Sequence, residues 1–199
     1  MGNIGIIGRA RVGKDTAGKW LVDNRGYRRI GFADALKDAA LKVDPIVEYE
    51  QLPMGGHLPW NLKELVALHG WELVKDNFPE VRRILQELGA AVRAIDEDFW
   101  LRAAMTKVME ANEAGVPVVI TDVRYPNEAA SLKRAGFHLV YINRPDVPQL
   151  QHESEGALGA EDADYVIRND GPIDHLHNGV EFVADHIYDI ESARHFARL

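Results

Sequence analysis

The sequence predicts a three-layer α/β fold built on a five-stranded parallel sheet. Three observations point there. Short apolar runs alternate with helix-length amphipathic segments along most of the chain, the pattern left by crossover connections in a parallel sheet. One run, VPVVITD over residues 116–122, is almost continuously apolar, as expected of a central strand covered on both faces. At the amino end, residues 3–8 form a brief apolar run that passes through a glycine loop straight into a helical pattern.

Taken in order, the first strand covers residues 3–8 and the first helix runs from just after Gly13 through Val22. A second strand falls at 27–32, followed by a helix that begins near Asp34 and ends before Pro45. Pro45, Pro53, Gly55, Gly56 and Pro59 make residues 45–60 an expected mobile loop. Helical patterning resumes over 62–69, 71–77, 79–95 and 98–112, with Pro79 suited to a first helical turn, where a missing N–H costs nothing. The central strand at 116–122 leads into a helix at 127–135, stopped at Gly136, and a strand at 137–143. Residues 144–162, polar with two prolines and two glycines, read as a second mobile loop. A last strand at 165–168 turns at Asn169-Asp170-Gly171 into a helix with Val180, Val183, Ile187 and Ile190 on one face. The expected layout is one domain, with a core at 1–43 and 114–199 and a helical insertion at 44–113.

Composition narrows the function classes. The chain has 199 residues and a net charge of -8, from 31 acidic and 23 basic side chains. That balance argues against a general binder of nucleic-acid polymers or anionic membranes, both of which need a cationic face. Cysteine is absent, which excludes disulfides, a thiolate nucleophile and cysteine-ligated zinc, and makes an intracellular location the simplest expectation. Neither a leader-like segment nor an apolar run of membrane-spanning length occurs in the sequence.

The chemistry is carried by Gly8-Arg-Ala-Arg-Val-Gly13-Lys14-Asp15-Thr16, which has the phosphate-loop spacing of Gly, four residues, then Gly-Lys. It lies between a predicted strand and a predicted helix, the context such a match requires. Backbone N–H groups of Gly8, Arg11, Val12 and Gly13 and the helix amino terminus are expected to surround phosphates, with Lys14 adding a mobile positive charge. The residue after the lysine usually supplies a Ser or Thr hydroxyl to Mg²⁺, but here it is Asp15. A carboxylate beside a triphosphate is repelled unless a cation intervenes, so Asp15 is expected to face Mg²⁺ and Thr16 to bond a phosphate oxygen. Asp122, at the carboxyl end of the central strand, is a second metal candidate, with a helix cap as its alternative role. No Asn-Lys-x-Asp segment occurs, and Asp122 is followed by Val-Arg-Tyr, which argues against a GTPase.

A phosphate acceptor needs guanidinium groups to hold it against repulsion from ATP, whereas an alcohol needs a base. On the helix at 79–95, Val81, Ile84, Leu85, Leu88, Val92 and Ile95 form an apolar stripe, and Arg82, Gln86 and Arg93 share a flank. That flank suits a phosphate and a base edge, although a solvated helix face has the same pattern. Arg124, two residues past Asp122, is placed for the migrating phosphoryl group. Asp34 and Lys37, in FADALK, follow the second strand on the same sheet edge, and Asp34 is either a helix cap or an acceptor contact. Trp100 is either a stacking platform for a base or a core residue.

The blocks GRARVGKDT, FADALK, VRRILQELG with Arg93 following, DEDFW, VVITDVRYPNE, Asn143-Arg144-Pro145, HESE at 152–155 and IRNDG follow one another in this order. In them the chain resembles the bacteriophage-type deoxynucleoside monophosphate kinases, within the P-loop nucleoside monophosphate kinases. The resemblance implies that the helical insertion at 44–113 binds the acceptor and that residues about 144–163 form a lid. The resemblance implies the P-loop fold, ATP and Mg²⁺, and Asp as the residue after the lysine. It implies an acceptor site lined by Arg82, Gln86 and Arg93, a phosphate-gripping role for Arg124, and Arg144 at the start of a lid over ATP. It also implies a homodimer in the host cytoplasm. Two rivals stand beside this reading: a P-loop kinase for a non-nucleotide acceptor such as dephospho-coenzyme A, a phosphomevalonate-like compound or a sugar acid, and a non-catalytic nucleotide-binding regulator.

Overall fold

A computed structural model describes residues 2–147 and 157–197. Its elements run β1 (Ile4–Ile7), α1 (Lys14–Arg25), β2 (Arg28–Arg29), α2 (Phe32–Val43), β3 (Ile46–Gln51), β4 (His57–Asn61), α3 (Leu62–Asn77), α4 (Pro79–Ile95) and α5 (Phe99–Glu113). They continue with β5 (Val118–Val123), α6 (Pro126–Arg134), β6 (His138–Asn143), a single 3-10 turn (Ala160–Asp162), β7 (Tyr165–Arg168) and α7 (Ile173–Phe196).

The expected five-stranded sheet is present, in the order β2-β5-β1-β6-β7 with every pairing parallel. β1 is central because its four residues are all buried, and a strand buried on both faces gains most between two neighbours. Ile4 and Ile6 pack with Ala17 and Leu21 of α1 and with Val180 and Ile187 of α7. On the opposite pleat Gly5 lies against Leu139 of β6 and Leu132 of α6. Helices on both faces of one sheet make the three layers.

The chain divides into two compact units, one of Met1–Phe32 with Ala104–Leu199 and one of Ala33–Ala103. The sheet belongs to the first. The second has its own core, with Ala40, Leu62, Leu65, Val74 and Val81 buried and Trp60, Trp71 and Leu85 packed on them. It is helical apart from an antiparallel hairpin, β3 with β4.

That hairpin corrects the loop expected at residues 45–60. Ile46, Val47 and Tyr49 favour extended backbone, and the glycines and prolines serve the turn and a strand edge rather than dissolving the segment. Gln51 pairs with His57, and Gly55 and Gly56 take left-handed torsions (φ 87° and 97°) in the turn between them. The expected break between 62–69 and 71–77 is a kink at Gly70 (φ 74°) within α3. β2 is shorter than expected, only two exposed residues. α4 has the predicted bounds, but its apolar stripe is incompletely covered: Val81 is fully buried, whereas Ile95 is 88% exposed. Of the final helix's expected face, Val180, Val183 and Ile187 are buried and Ile190 is half-buried.

Candidate active site

The loop from Gly8 to Gly13 has three left-handed residues, Gly8 (φ 145°), Arg11 (φ 64°) and Gly13 (φ 103°). Such interruptions turn successive N–H groups toward one hollow and make an anion-binding nest. Arg11 is not glycine, so its torsion costs about 1–2 kcal/mol, a strain typical of ligand clamps. The N-cap residue of α1 is Gly13, which has no side chain to cap the helix, and the first-turn amides have no intrahelical acceptor. Lys14 Nζ donates to the carbonyls of Gly8 and Arg9, at 2.6 Å each, so the ammonium lies folded over the loop. Together the nest, the uncapped helix and the ammonium fit a polyphosphate.

A buried asparagine braces this loop from the far end of the chain. Asn169 Nδ2 donates to the carbonyl of Val12 at 2.8 Å, and its backbone N–H donates to Asn143 O at 2.7 Å. Gly13 is required beside it, since a Cβ there would come within 2.8 Å of Asn169 Nδ2.

The carboxyl end of β5 faces the start of α1. Between Gly5–Ile7 of β1 and Ile120–Val123 of β5 the register shifts by one residue, which places a bulge at Thr121–Asp122. Bulges re-aim side chains near functional sites. Thr121 Oγ1 donates to Asp15 Oδ1 at 2.9 Å, whereas Asp122 Oδ1 accepts the backbone N–H of Phe32, the first residue of α2, at 3.0 Å. Asp122 therefore takes its alternative role, a helix cap, at the helix for which Asp34 is expected as either cap or acceptor contact; Asp34 sits inside the first turn of α2. Among the described residues no group of three His, Asp or Glu forms a ready-made metal cage. Asp15, exposed and held through one oxygen, suits a hard cation that takes most ligands from phosphates and water.

Arg124 is exposed just after β5, and its backbone is fixed by Glu128, whose Oε2 accepts the N–H groups of Arg124 (2.8 Å) and Tyr125 (3.0 Å). Burial pushes the Glu128 carboxyl up to about 7, against the opposing pull of those two amides; Asp122 adds to the rise and Arg124 reduces it. Arg144 is exposed at the end of β6, where its carbonyl accepts the N–H of Val147 at 3.3 Å. Residues 148–156 of the expected lid, His152–Glu155 among them, lie outside the described residues.

In the second unit α4 carries Arg82, Gln86 and Arg93 on one flank. Arg82 is engaged locally: its Nε donates to Lys75 O and its Nη2 to Asp76 Oδ1, both at 2.6 Å. Gln86 is exposed and Arg93 half-buried. Lys37 Nζ stands 5.6 Å from the ring centroid of Trp71. Of the two roles open for Trp100 the structure shows the core one rather than the substrate-binding one: it is only 6% exposed, with its indole N–H donated to Gly89 O at 3.2 Å.

The family profile for deoxynucleotide monophosphate kinase matches residues 67–180, more than half of the chain. The chain belongs to that family. This kinase is thus a phosphotransferase of the P-loop class with a nucleotide substrate. The matched span leaves out the phosphate loop, so the loop geometry is a separate line of support for the same class. Over 187 residues the kinase is 28% identical to a protein of Acanthamoeba polyphaga mimivirus, provisionally named a deoxynucleotide monophosphate kinase, covering 89% of this chain and 93% of that one. It is 27% identical to the deoxynucleotide monophosphate kinase of Escherichia phage RB69 over 105 residues, 51% of this chain and 43% of the phage protein. Among solved structures, the dephospho-CoA kinase of Campylobacter jejuni shares the fold with a TM-score of 0.51 and 12% identity, over 94% of this chain and 98% of that one. No helix among the described residues is long and apolar enough to cross a membrane.

Four residues that position this site carry no sequence pattern of their own: Thr121, Glu128, Asn169 and Gly18. Thr121 offered one signal, a lone hydroxyl inside an apolar run. Gly18 allows α1 to approach β5, for a Cβ there would collide with Thr121 Cγ2.

Proposed function

We propose that this kinase transfers the γ-phosphoryl group of ATP to a deoxynucleoside monophosphate, giving ADP and the deoxynucleoside diphosphate. An acceptor phosphate oxygen forms the new bond to the γ-phosphorus as the bond to the β–γ bridging oxygen breaks, and that oxygen leaves with ADP. The observation that carries the reading is the left-handed nest at residues 8–13, opening on an uncapped α1 with Lys14 beside it.

In this reading the amides of the loop, with Gly8, Arg11, Val12 and Gly13, bind the donor phosphates. Thr16 bonds a phosphate oxygen, and Lys14 moves from the loop carbonyls to the transferred group. Asp15 holds Mg²⁺, with Asp122 as a further candidate. Mg²⁺, when bound, would neutralise charge on the bridging and terminal phosphate oxygens. Arg124 steadies the migrating phosphoryl group. Arg82, Gln86 and Arg93 hold the acceptor phosphate and read its base, with Asp34 and Lys37 as further contacts, because an anionic nucleophile calls for guanidinium groups rather than a base. Arg144 begins a lid that excludes water from ATP. The homodimer and the cytoplasmic location implied by the resemblance belong to the same proposal.

A coupled ADP-release assay over a panel of deoxynucleoside and ribonucleoside monophosphates, dephospho-coenzyme A, phosphomevalonate and sugar acids tests it. Turnover is expected with deoxynucleoside monophosphates and is expected to vanish in Lys14→Ala. Turnover of an alcohol acceptor with none for any nucleotide would remove the proposed acceptor.

A further inference from the structure

In most phosphate loops the residue after the lysine brings a hydroxyl, and an acid comes from the facing strand. In this chain the residue after the lysine is an acid, and the facing strand brings a buried hydroxyl next to its own acid, Asp122. Asp15 brings the acid from the loop, and Thr121 brings the hydroxyl from β5. Their bond, Thr121 Oγ1 to Asp15 Oδ1 at 2.9 Å, joins elements far apart in sequence.

Three features fix the threonine's orientation. Its residue is 1% exposed, so its hydroxyl needs an acceptor within the protein. Its methyl lies beneath α1 at Gly18, where even a Cβ would collide with it. The bulge at Thr121–Asp122 sets the two side chains to different tasks, Thr121 toward Asp15 and Asp122 toward the N–H of Phe32. A β-branched side chain with its methyl pinned has little rotamer freedom left, so its hydroxyl direction is fixed by packing.

We infer that Thr121 is a positioning residue that donates to one oxygen of Asp15 and so presents the other to a divalent cation. The inference rests on the proposed role of Asp15 toward Mg²⁺. It is the arrangement by which hydrogen-bonded carboxylates are oriented around metals generally, where loss of the outer partner lowers metal affinity about 10- to 100-fold.

The test is ADP binding by calorimetry to the whole chain, with and without Mg²⁺, alongside unfolding midpoints. Thr121→Val keeps the shape and removes the hydroxyl. It is expected to bind metal-free ADP as the unsubstituted chain does but to lose roughly 10-fold or more of the enhancement by Mg²⁺. Thr121→Ser, which keeps the donor, is expected to retain that enhancement. An unchanged Mg²⁺ response in Thr121→Val overturns the inference, and so does equal weakening with and without metal, which would mark a merely structural threonine. Asp15→Asn reads the same link should the valine variant fail to fold, and a full Mg²⁺ response there also overturns it. If the unsubstituted chain bound no ADP under either condition, the donor-site reading would fall, which is distinguishable from failure of Thr121 alone.

Discussion

Asp122 and Glu128 bracket the turn that carries Arg124, and they hold it in different ways. Asp122 anchors the first amide of α2, while Glu128 gathers the two amides after β5. Because burial raises the Glu128 carboxyl from 4.5 to about 7, the native state keeps a proton that the unfolded chain releases between those values. Its stabilising contribution is therefore complete below pH 4.5, falls as pH rises, and is lost above about 7, a difference on the order of 3 kcal/mol. Glu128→Gln keeps an acceptor for both amides and cannot ionise. Urea unfolding is expected to find it close to the unsubstituted protein at pH 4.5 and more stable than it at pH 8; the opposite trend would mean that burial does not govern this carboxyl. For Arg82→Ala, acceptor KM is expected to rise about 10- to 100-fold, the worth of a charge-assisted hydrogen bond, with little change in KM for ATP. Asp76→Asn, which frees the guanidinium from its ion pair without removing it, is expected to leave acceptor KM near its starting value; equal loss for both substrates in Arg82→Ala would remove Arg82 from the acceptor role. At this scale the sequence was legible where a residue type is itself the signal, as with Lys14 and the loop glycines. It was not legible for Thr121, Glu128 or Asn169, whose roles come from partners distant along the chain.

Elements with a strong local period were legible to their ends. α4 begins at Pro79 and ends at Ile95 as its stripe predicts, and β7 keeps its expected bounds, because proline at a first turn and alternation before Asn-Asp-Gly are local signals. The β3–β4 hairpin was hidden because its prolines and glycines, which suit turns and strand edges, also suit loops. β2 shrank to two residues because among the described strands it pairs with β5 alone, and α2 begins after only two intervening residues, at Phe32. The approach of α1 to β5 depends on the missing side chain at Gly18. Gly18→Ala is expected to destabilise the protein by about 1–3 kcal/mol, since the added methyl must push the helix off Thr121. A melting temperature unchanged from the original would show that the helix can shift without loss.

Across the whole molecule the first unit is assembled from both ends of the chain, and the second from its middle. β1 pairs only with β5 and β6, so a chain ending at Gly115 keeps β1 and neither of its partners. Hydrogen exchange on that fragment is expected to find the amides of Ile4–Ile7 unprotected while helices of the second unit persist; protection of β1 would contradict the need for its neighbours. The same topology sets a timetable in the cell. Ile4 leaves the ribosome ahead of its partners and cannot dock until Val119 and His138 have followed, and Val12 waits further for Asn169. At ~5–20 residues per second that delay is on the order of ten seconds, during which a bare apolar segment invites chaperones and no nucleotide can help the nascent chain to fold.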